Sequence, residues 1–364
     1  MDLSNSDATR ARSGWPWGIV LALAWAVPTA TLAADLDAGR RTFETVCAAC
    51  HGTTGTLPPD SPLRAAMDPP PADLANPLFN SREPAPDWEM VVRHGGHSMG
   101  LSEQMPAQGG TLTDSDIRNV VAYVKTLADT SEYPPGELNF FLPIRTKKAF
   151  PEDEVVWKSR YTDRNGRDEF RNVLEVEKRV GKRGQWLLEV IHADDGYRSE
   201  ITEVEVGYKH VLAWNRQKAS ILSGALVVAV PTDGSSDAFA PYLAWGRQWS
   251  ERWITQGSAR TTVPFDNPDE GQVEVAAIAH YKWSPWPRRV FGGLELTAAA
   301  PFQDPGGDRV KFSAVPQMRI GLTRGGHVAL NLGVELPLSD QPYDYRFHLN
   351  LLWDFADGSF FKGW

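Results

Sequence analysis

Two cysteines in 364 residues are too few to staple a fold. A disulfide framework is excluded, and burial and hydrogen bonding must hold the chain together. Long apolar runs are also missing. The longest, residues 19–27, is far short of the roughly 20 residues a spanning helix needs, so a helical membrane protein is excluded. Positive charge is in deficit as well: the net charge of −9 argues against nucleic acid as a partner. No catalytic set of nucleophile and base stands out. His192, His210, His280, His327 and His348 are scattered without metal-ligand spacing, and Asp194-Asp195 reads as a turn.

What is present begins at the N-terminus. Arg10 and Arg12 precede the apolar run, and small residues follow to Ala34. This pattern predicts a signal peptide over 1–34, cleaved after Ala33, and export from a Gram-negative-type cell. No cysteine lies near that point, so no lipid anchor is expected. The remaining chain, about 330 residues, suggests two domains. Acidity is uneven: residues 35–129 carry 13 acidic and seven basic side chains.

Both cysteines fall in one motif, Cys47-Ala48-Ala49-Cys50-His51. Two thiols at this spacing can add to the two vinyl groups of one haem, which brings the adjacent imidazole beside the iron. A thioredoxin-like pair does not need the trailing histidine, and a zinc site needs further ligands. Covalent haem c, with iron, is the expected cofactor, bound once.

Around the motif, residues 35–49 predict a helix with Leu36, Gly39, Phe43 and Val46 along one face. Nine prolines between 55 and 87 predict stiff loop. A short helix over 87–94 stops at Gly95-Gly96. Thr113 caps a last helix with the stripe Ile117, Val120, Val121, Val124, Leu127 and Ala128. This layout, with Pro69-Pro70-Pro71-Ala72-Asp73-Leu74, Met105-Pro106-Ala107 and Val121-Ala122-Tyr123-Val124, resembles a class I c-type cytochrome over residues 35–130. The resemblance implies His51 as proximal and Met105 as distal iron ligand, a set that raises the potential. His97 is the competing distal ligand; Met99 and His94 lie in the same segment, and Met67 upstream.

After a linker at 131–153, which contains the apolar knot 140–144, the period changes to two. Val204, Val206, Tyr208, Leu212 and Trp214 alternate with charged residues. So do Val273 to Trp283, Val310 to Leu322 and Tyr343 to Phe355. Several runs reach about 11 residues, the length of a lipid-spanning strand rather than a soluble one. Aromatics sit near their ends on the apolar phase, as a girdle requires. The expected fold is therefore an all-α cytochrome c domain followed by an antiparallel all-β barrel over 154–364, of outer-membrane type with about 12 strands. Val230-Pro231-Thr232-Asp233-Gly234 and the closing Tyr343-to-Phe355 strand resemble outer-membrane transporters near aromatic-degradation pathways. Pro316 predicts a bulge, and a tail follows Phe355.

The combined expectation is electron transfer, not enzymatic catalysis, by a haem anchored at the outer membrane. The cytochrome would face the periplasm and a donor or acceptor protein there, with outer-membrane lipid around the barrel. Fused monohaem cytochrome–porin proteins of iron-oxidising bacteria are similar in architecture. The alternatives are a solute channel carrying a cytochrome and a soluble periplasmic cytochrome fused to a β-sandwich.

Overall fold

The structure is a computed structural model that describes residues 34–164, 168–283, 290–303, 309–357 and 361. The expected signal peptide, the turn at 304–307 and the tail beyond 357, residue 361 apart, lie outside the described residues.

Six short helices build the first part. α1 (Leu36–Thr42) runs through a π-turn, Phe43–Cys47, into α2 (Ala48–His51). α3 (Pro62–Ala66), α4 (Pro77–Arg82), α5 (Ala85–Ser98) and α6 (Asp114–Val124) follow. The prolines of the expected loop serve as helix starters. Pro62 and Pro77 open α3 and α4, and Pro86 sits in the first turn of α5, where an amide donor is not needed. α5 therefore starts earlier than its periodicity suggested and kinks at Gly95, whose φ is +76°. α6 begins with a full capping box between Thr113 and Asp116.

α1 crosses α6 almost backbone to backbone. A Cβ on Gly39 would lie 2.1 Å from the Asn119 carbonyl oxygen, so only glycine fits there. Phe43, Leu74, Val120 and Val124 form the core beneath this crossing. Leu36 and Val46, expected on the buried face, are 47% and 37% exposed. The π-turn rotates the helix face between Phe43 and Cys47, and the apolar stripe does not continue through it.

The second part is one antiparallel sheet. Its strands are β1 (Glu154–Asp163), β2 (Glu169–Val180), β3 (Gly184–Asp194), β4 (Ser199–Asn215), β5 (Ser220–Pro231) and β6, in two pieces, Ala238–Phe239 and Tyr242–Gln248. β7 (Trp253–Pro264), β8 (Gln272–Lys282), β9 (Val290–Pro301), β10 (Lys311–Gly321), β11 (Val328–Pro337) and β12 (Tyr345–Asp354) complete it. The two pieces of β6 keep one register against β5, Ala225 opposite Tyr242 and Val228 opposite Phe239. Pro241, which has no amide donor, lies between them. β12 pairs with β1 from Glu154 opposite Asp354 to Asp163 opposite Tyr345, which closes a 12-strand barrel.

The barrel is inverted relative to a water-soluble protein. Leu226, Leu294 and Val206 are 63%, 53% and 49% exposed, whereas Glu175, Glu205 and Lys209 are 3%, 4% and 1% exposed. Carboxylates and ammonium groups face the lumen and aliphatic side chains face outward, the arrangement a lipid-facing wall requires. Aromatic residues mark both ends of that wall: Trp157, Trp186, Trp245 and Trp253 at one, Tyr161, Phe170 and Tyr345 at the other.

Three alternation details differ from expectation. The register of β4 against β5 shifts between Val211 and Ala213, so Trp214 pairs with Ile221 and packs against the inner core. Tyr343 turns inward, where its hydroxyl donates to Glu335 at 2.9 Å. Pro316 causes no bulge: β10 keeps one register with β9 through it, and only the ladder to β11 is interrupted at 315 and 316.

Candidate haem site and the barrel lumen

Cys47, at the end of the π-turn, and Cys50, in α2, are unbridged thiols, both half-buried. Burial, and secondarily Cys50, pushes the Cys47 thiol up to about 11. A disulfide-exchange pair instead needs a lowered thiol, so the local chemistry disfavours that reading. His51 follows on the same short helix. Its Nδ1 lies 3.2 Å from the Ala72 carbonyl oxygen, which fixes the tautomer and leaves Nε2 without a proton and able to bind a metal. Burial pushes the imidazole below its ordinary range, against the opposing pull of that carbonyl, and the neutral ring is the form that binds a metal. Two thiols, one oriented neutral imidazole and an apolar core at Phe43 and Leu74 fit a covalently held haem.

The loop bearing Ala72 is itself fixed. Leu74 N donates to Gly55 O at 2.8 Å, and the buried Asn80 side chain donates to Leu74 O at 2.8 Å and to Val124 O at 3.0 Å. Neither Ala72 nor Asn80 is visible as a site residue in the sequence. A backbone acceptor has no side-chain signature, and an asparagine between proline-rich turns reads as loop.

Met105 is half-buried in the segment after α5. Its carbonyl accepts from Gly96 N at 2.9 Å, and a Cβ on Gly95 would lie 2.6 Å from Ala107 N. The two glycines thus let the Met-Pro loop close onto the end of α5. His97 points outward beside Glu103, at 3.5 Å, with 78% of its side chain exposed. Met99 is 1% exposed and His94 is half-buried. Among the described residues, no three His, Cys, Asp or Glu side chains gather to hold a metal ion.

The apolar knot of the linker does not lie between the two parts; it enters the barrel. Phe141 stacks on Phe291 with ring centroids 3.5 Å apart, and Gln256 and Asn331 each donate to carbonyls of this segment, on Phe141 and Leu142, at 2.6 Å. At the tip, Arg145 Nη2 meets Glu274 Oε2 at 2.5 Å, and the Thr146 amide donates to Glu295. Lys147 Nζ pairs with Glu189 at 2.8 Å. The segment then returns, with Ser223 donating to Ala149 O and Lys209 to Phe150 O. Asn139 Nδ2 and Glu152 Oε2 meet at 3.3 Å where the segment leaves and re-enters the mouth. Residues 140–150 are a re-entrant plug with a cationic tip seated among wall carboxylates. One sequence signal could have found it: Arg145, Lys147 and Lys148 lie just upstream of strands whose inward phase is rich in glutamate.

Helical part and barrel meet at this same mouth. Arg82 Nη2 donates to Ala356 O at 3.1 Å, Arg183 Nε to Glu132 O at 3.2 Å, and Lys182 pairs with Glu132.

Residues 34–124 match the family model for subunit III of cbb3-type cytochrome c oxidase. A cytochrome c6 from Picosynechococcus sp. is 35% identical over 115 residues, covering 31% of this chain and 92% of that relative. A cytochrome c6 from Gracilaria tenuistipitata var. liui is 37% identical over 95 residues, 26% of this chain and 74% of the relative. Among solved structures, the chain is similar to the KdgM porin at 11% identity and a TM-score of 0.41, over 56% of this chain and 99% of the porin. It is also similar to an outer membrane channel from Pseudomonas putida F1 at 12% identity and a TM-score of 0.42, over 58% of this chain and 99% of the channel.

Proposed function

Because this chain belongs, through its N-terminal part, to the cytochrome c family, we propose that it transfers electrons through one covalently held haem c, anchored at the outer membrane by its barrel. Cys47 and Cys50 would carry the thioether links, and His51 and Met105 would be the side chains that hold the iron. Bound there, the group supplies a reversible one-electron iron couple. The chain's own part is to hold and shield. Ala72 orients His51, the Gly95–Gly96 turn holds the Met105 loop, and Phe43, Leu74, Val120 and Val124 keep water from the interior. With both His51 and Met105 holding the group, the domain would serve as an electron carrier.

The observation that carries the anchoring role is the plug. A lumen filled by residues 140–150 of the same chain suits a membrane anchor better than a solute channel. Among the fully described connections, those at the end beside the helical part, 181–183, 216–219, 249–252 and 322–327, are on the whole shorter than those at the opposite end, 195–198, 232–237, 265–271 and 338–344. Outer-membrane barrels keep short turns on the periplasmic side. This supports a periplasmic haem and a periplasmic redox protein as donor or acceptor, and the acidic haem domain suits a basic partner.

The test is haem-stained gel mobility of detergent-extracted outer membranes, unboiled against boiled. The expected result is one haem-positive band whose mobility shifts on boiling. Haem confined to the soluble periplasm, with no shift, would overturn the anchor.

A further inference from the structure

We infer that the chamber between the plug tip and the loop-bearing end of the barrel, remote from the haem site, binds a small multivalent oxyanion of the phosphate or polycarboxylate kind. The chamber has a volume of about 430 Å³, within the usual range for small-molecule sites. Six cations line it: Arg145 and Lys147 from the plug, and Lys158, Arg160, Arg171 and Arg260 from the wall.

The sign of its surface follows from which half of each ion pair faces water. Lys147, Lys158 and Arg260 keep 20%, 22% and 20% of their side chains exposed, while their partners Glu189, Glu175 and Glu205 keep 8%, 4% and 6%. Arg160 is 19% and Arg171 36% exposed. In these three pairs the carboxylates stand behind the cations; in the Arg145–Glu274 pair the order is reversed, 21% against 32%. Glu203 and Glu274, at 27% and 32%, are the acidic side chains of the lining that stay comparably open. The surface presented to a ligand is therefore cationic although the surrounding wall is charge-balanced.

Open donors point the same way. Asn350 lines the chamber, is 2% exposed, and its Nδ2 has no hydrogen-bond partner within the protein. Arg160 Nε is likewise buried without one. Guanidinium groups offer paired N–H donors that match the planar oxygens of a carboxylate or phosphate, and several converging forks select for more than one negative charge. The chamber is too polar for an apolar solute. The inference does not depend on the haem assignment, since none of these residues touches that site.

The experiment is calorimetric titration of the full-length, haem-loaded protein in detergent at low ionic strength. Inorganic phosphate and citrate are the probes, and nitrate is the monovalent control. Saturable binding of phosphate or citrate at one per chain is expected, with nitrate much weaker. Which of the two binds more tightly identifies the oxyanion. Arg160→Gln should weaken binding at least about tenfold. Because that change removes one of the two arginines on Glu169, the other being Arg164, Arg171→Gln is the companion variant: its nearest approach to Glu203 is a long 3.9 Å, so the barrel loses little. A retained heat-dependent mobility shift and an unchanged haem spectrum certify both variants as folded. No saturable binding of either oxyanion, nitrate binding as tightly, or undiminished affinity in Arg171→Gln would overturn the site.

Discussion

Arg145 reaches Glu274 at 2.5 Å from the tip of a segment that precedes the barrel in sequence and lies inside it in space. The same guanidinium approaches Glu335 at 3.7 Å, and the Arg145 amide donates to Glu295. Arg145→Met keeps an unbranched apolar stem, though a shorter one, and leaves these carboxylates short of one cation. Removing one partner of a buried pair costs about 3 kcal/mol, a figure to be read as an upper bound here because Arg145 keeps 21% of its side chain exposed. The temperature at which the gel-mobility shift occurs should fall in the variant. An unchanged transition would mean that the wall, and not the plug, sets the stability of the barrel.

The distal position separates cleanly between two residues. Met105→Ala should abolish the sulfur-to-iron absorption band and lower the reduction potential, because the thioether ligand favours the reduced state. His97→Ala should change neither, since that side chain stands in solvent beside Glu103. A band that survives Met105→Ala would transfer the role to another residue, with the buried Met99 the first to examine by the same substitution.

Where the sequence was informative, the physical requirement fell on side chains at fixed spacing. Cys47, Cys50 and His51 lie within five consecutive residues, so the motif is readable without the fold. The barrel wall is readable because lipid and lumen impose strict alternation, and β12 follows it from Tyr345 to Asp354. Alternation fails where backbone geometry intervenes: the register shift at Leu212 turns Trp214 inward, and Tyr343 precedes its strand and turns toward Glu335. The plug was the least legible element. Residues 140–150 follow neither strand nor helix periodicity, and their backbone is satisfied by distant side chains, Lys209, Ser223, Gln256 and Asn331 among them, the nearest 59 residues away. Nothing local announces such partners.

Lys125 gives the haem domain a stability that depends on pH. Its Nζ donates to Asn80 O at 2.6 Å and Glu83 O at 2.7 Å and sits 4.2 Å from the centre of the Trp88 ring. Burial pushes it down to about 8 from its ordinary 10.5, against the pull of Glu137, Glu83 and Asp87. The folded state therefore binds fewer protons than the unfolded chain between those two values. The contribution is fully present above about 10.5 and is lost as pH falls through about 8. Stability of the domain should rise by about 2 kcal/mol between roughly pH 7.5 and pH 9.5. Thermal unfolding followed by haem absorbance measures it, and Lys125→Met should flatten the rise. A wild-type protein that loses stability over this interval contradicts the assigned direction.

A barrel of 12 strands is wider than the eight-stranded kind that wall side chains fill alone, and narrower than porins with an open channel. Its lumen must be filled by something else or conduct. The structure supplies the filler from the chain itself, and its two ends lie together at one mouth, where Asn139 meets Glu152 at 3.3 Å. Replacing residues 140–151 by a short glycine–serine bridge is thus geometrically allowed. In planar bilayers the wild-type protein should show little ion conductance, and the bridged variant should conduct steadily, with the haem spectrum and the mobility shift retained. The exposed lumen would then carry a wall of glutamates freed from Arg145 and Lys147, so the open variant should prefer cations. High conductance in the wild type would mean that the plug leaves its seat in the bilayer, and would move the weight of the functional reading from anchor to channel.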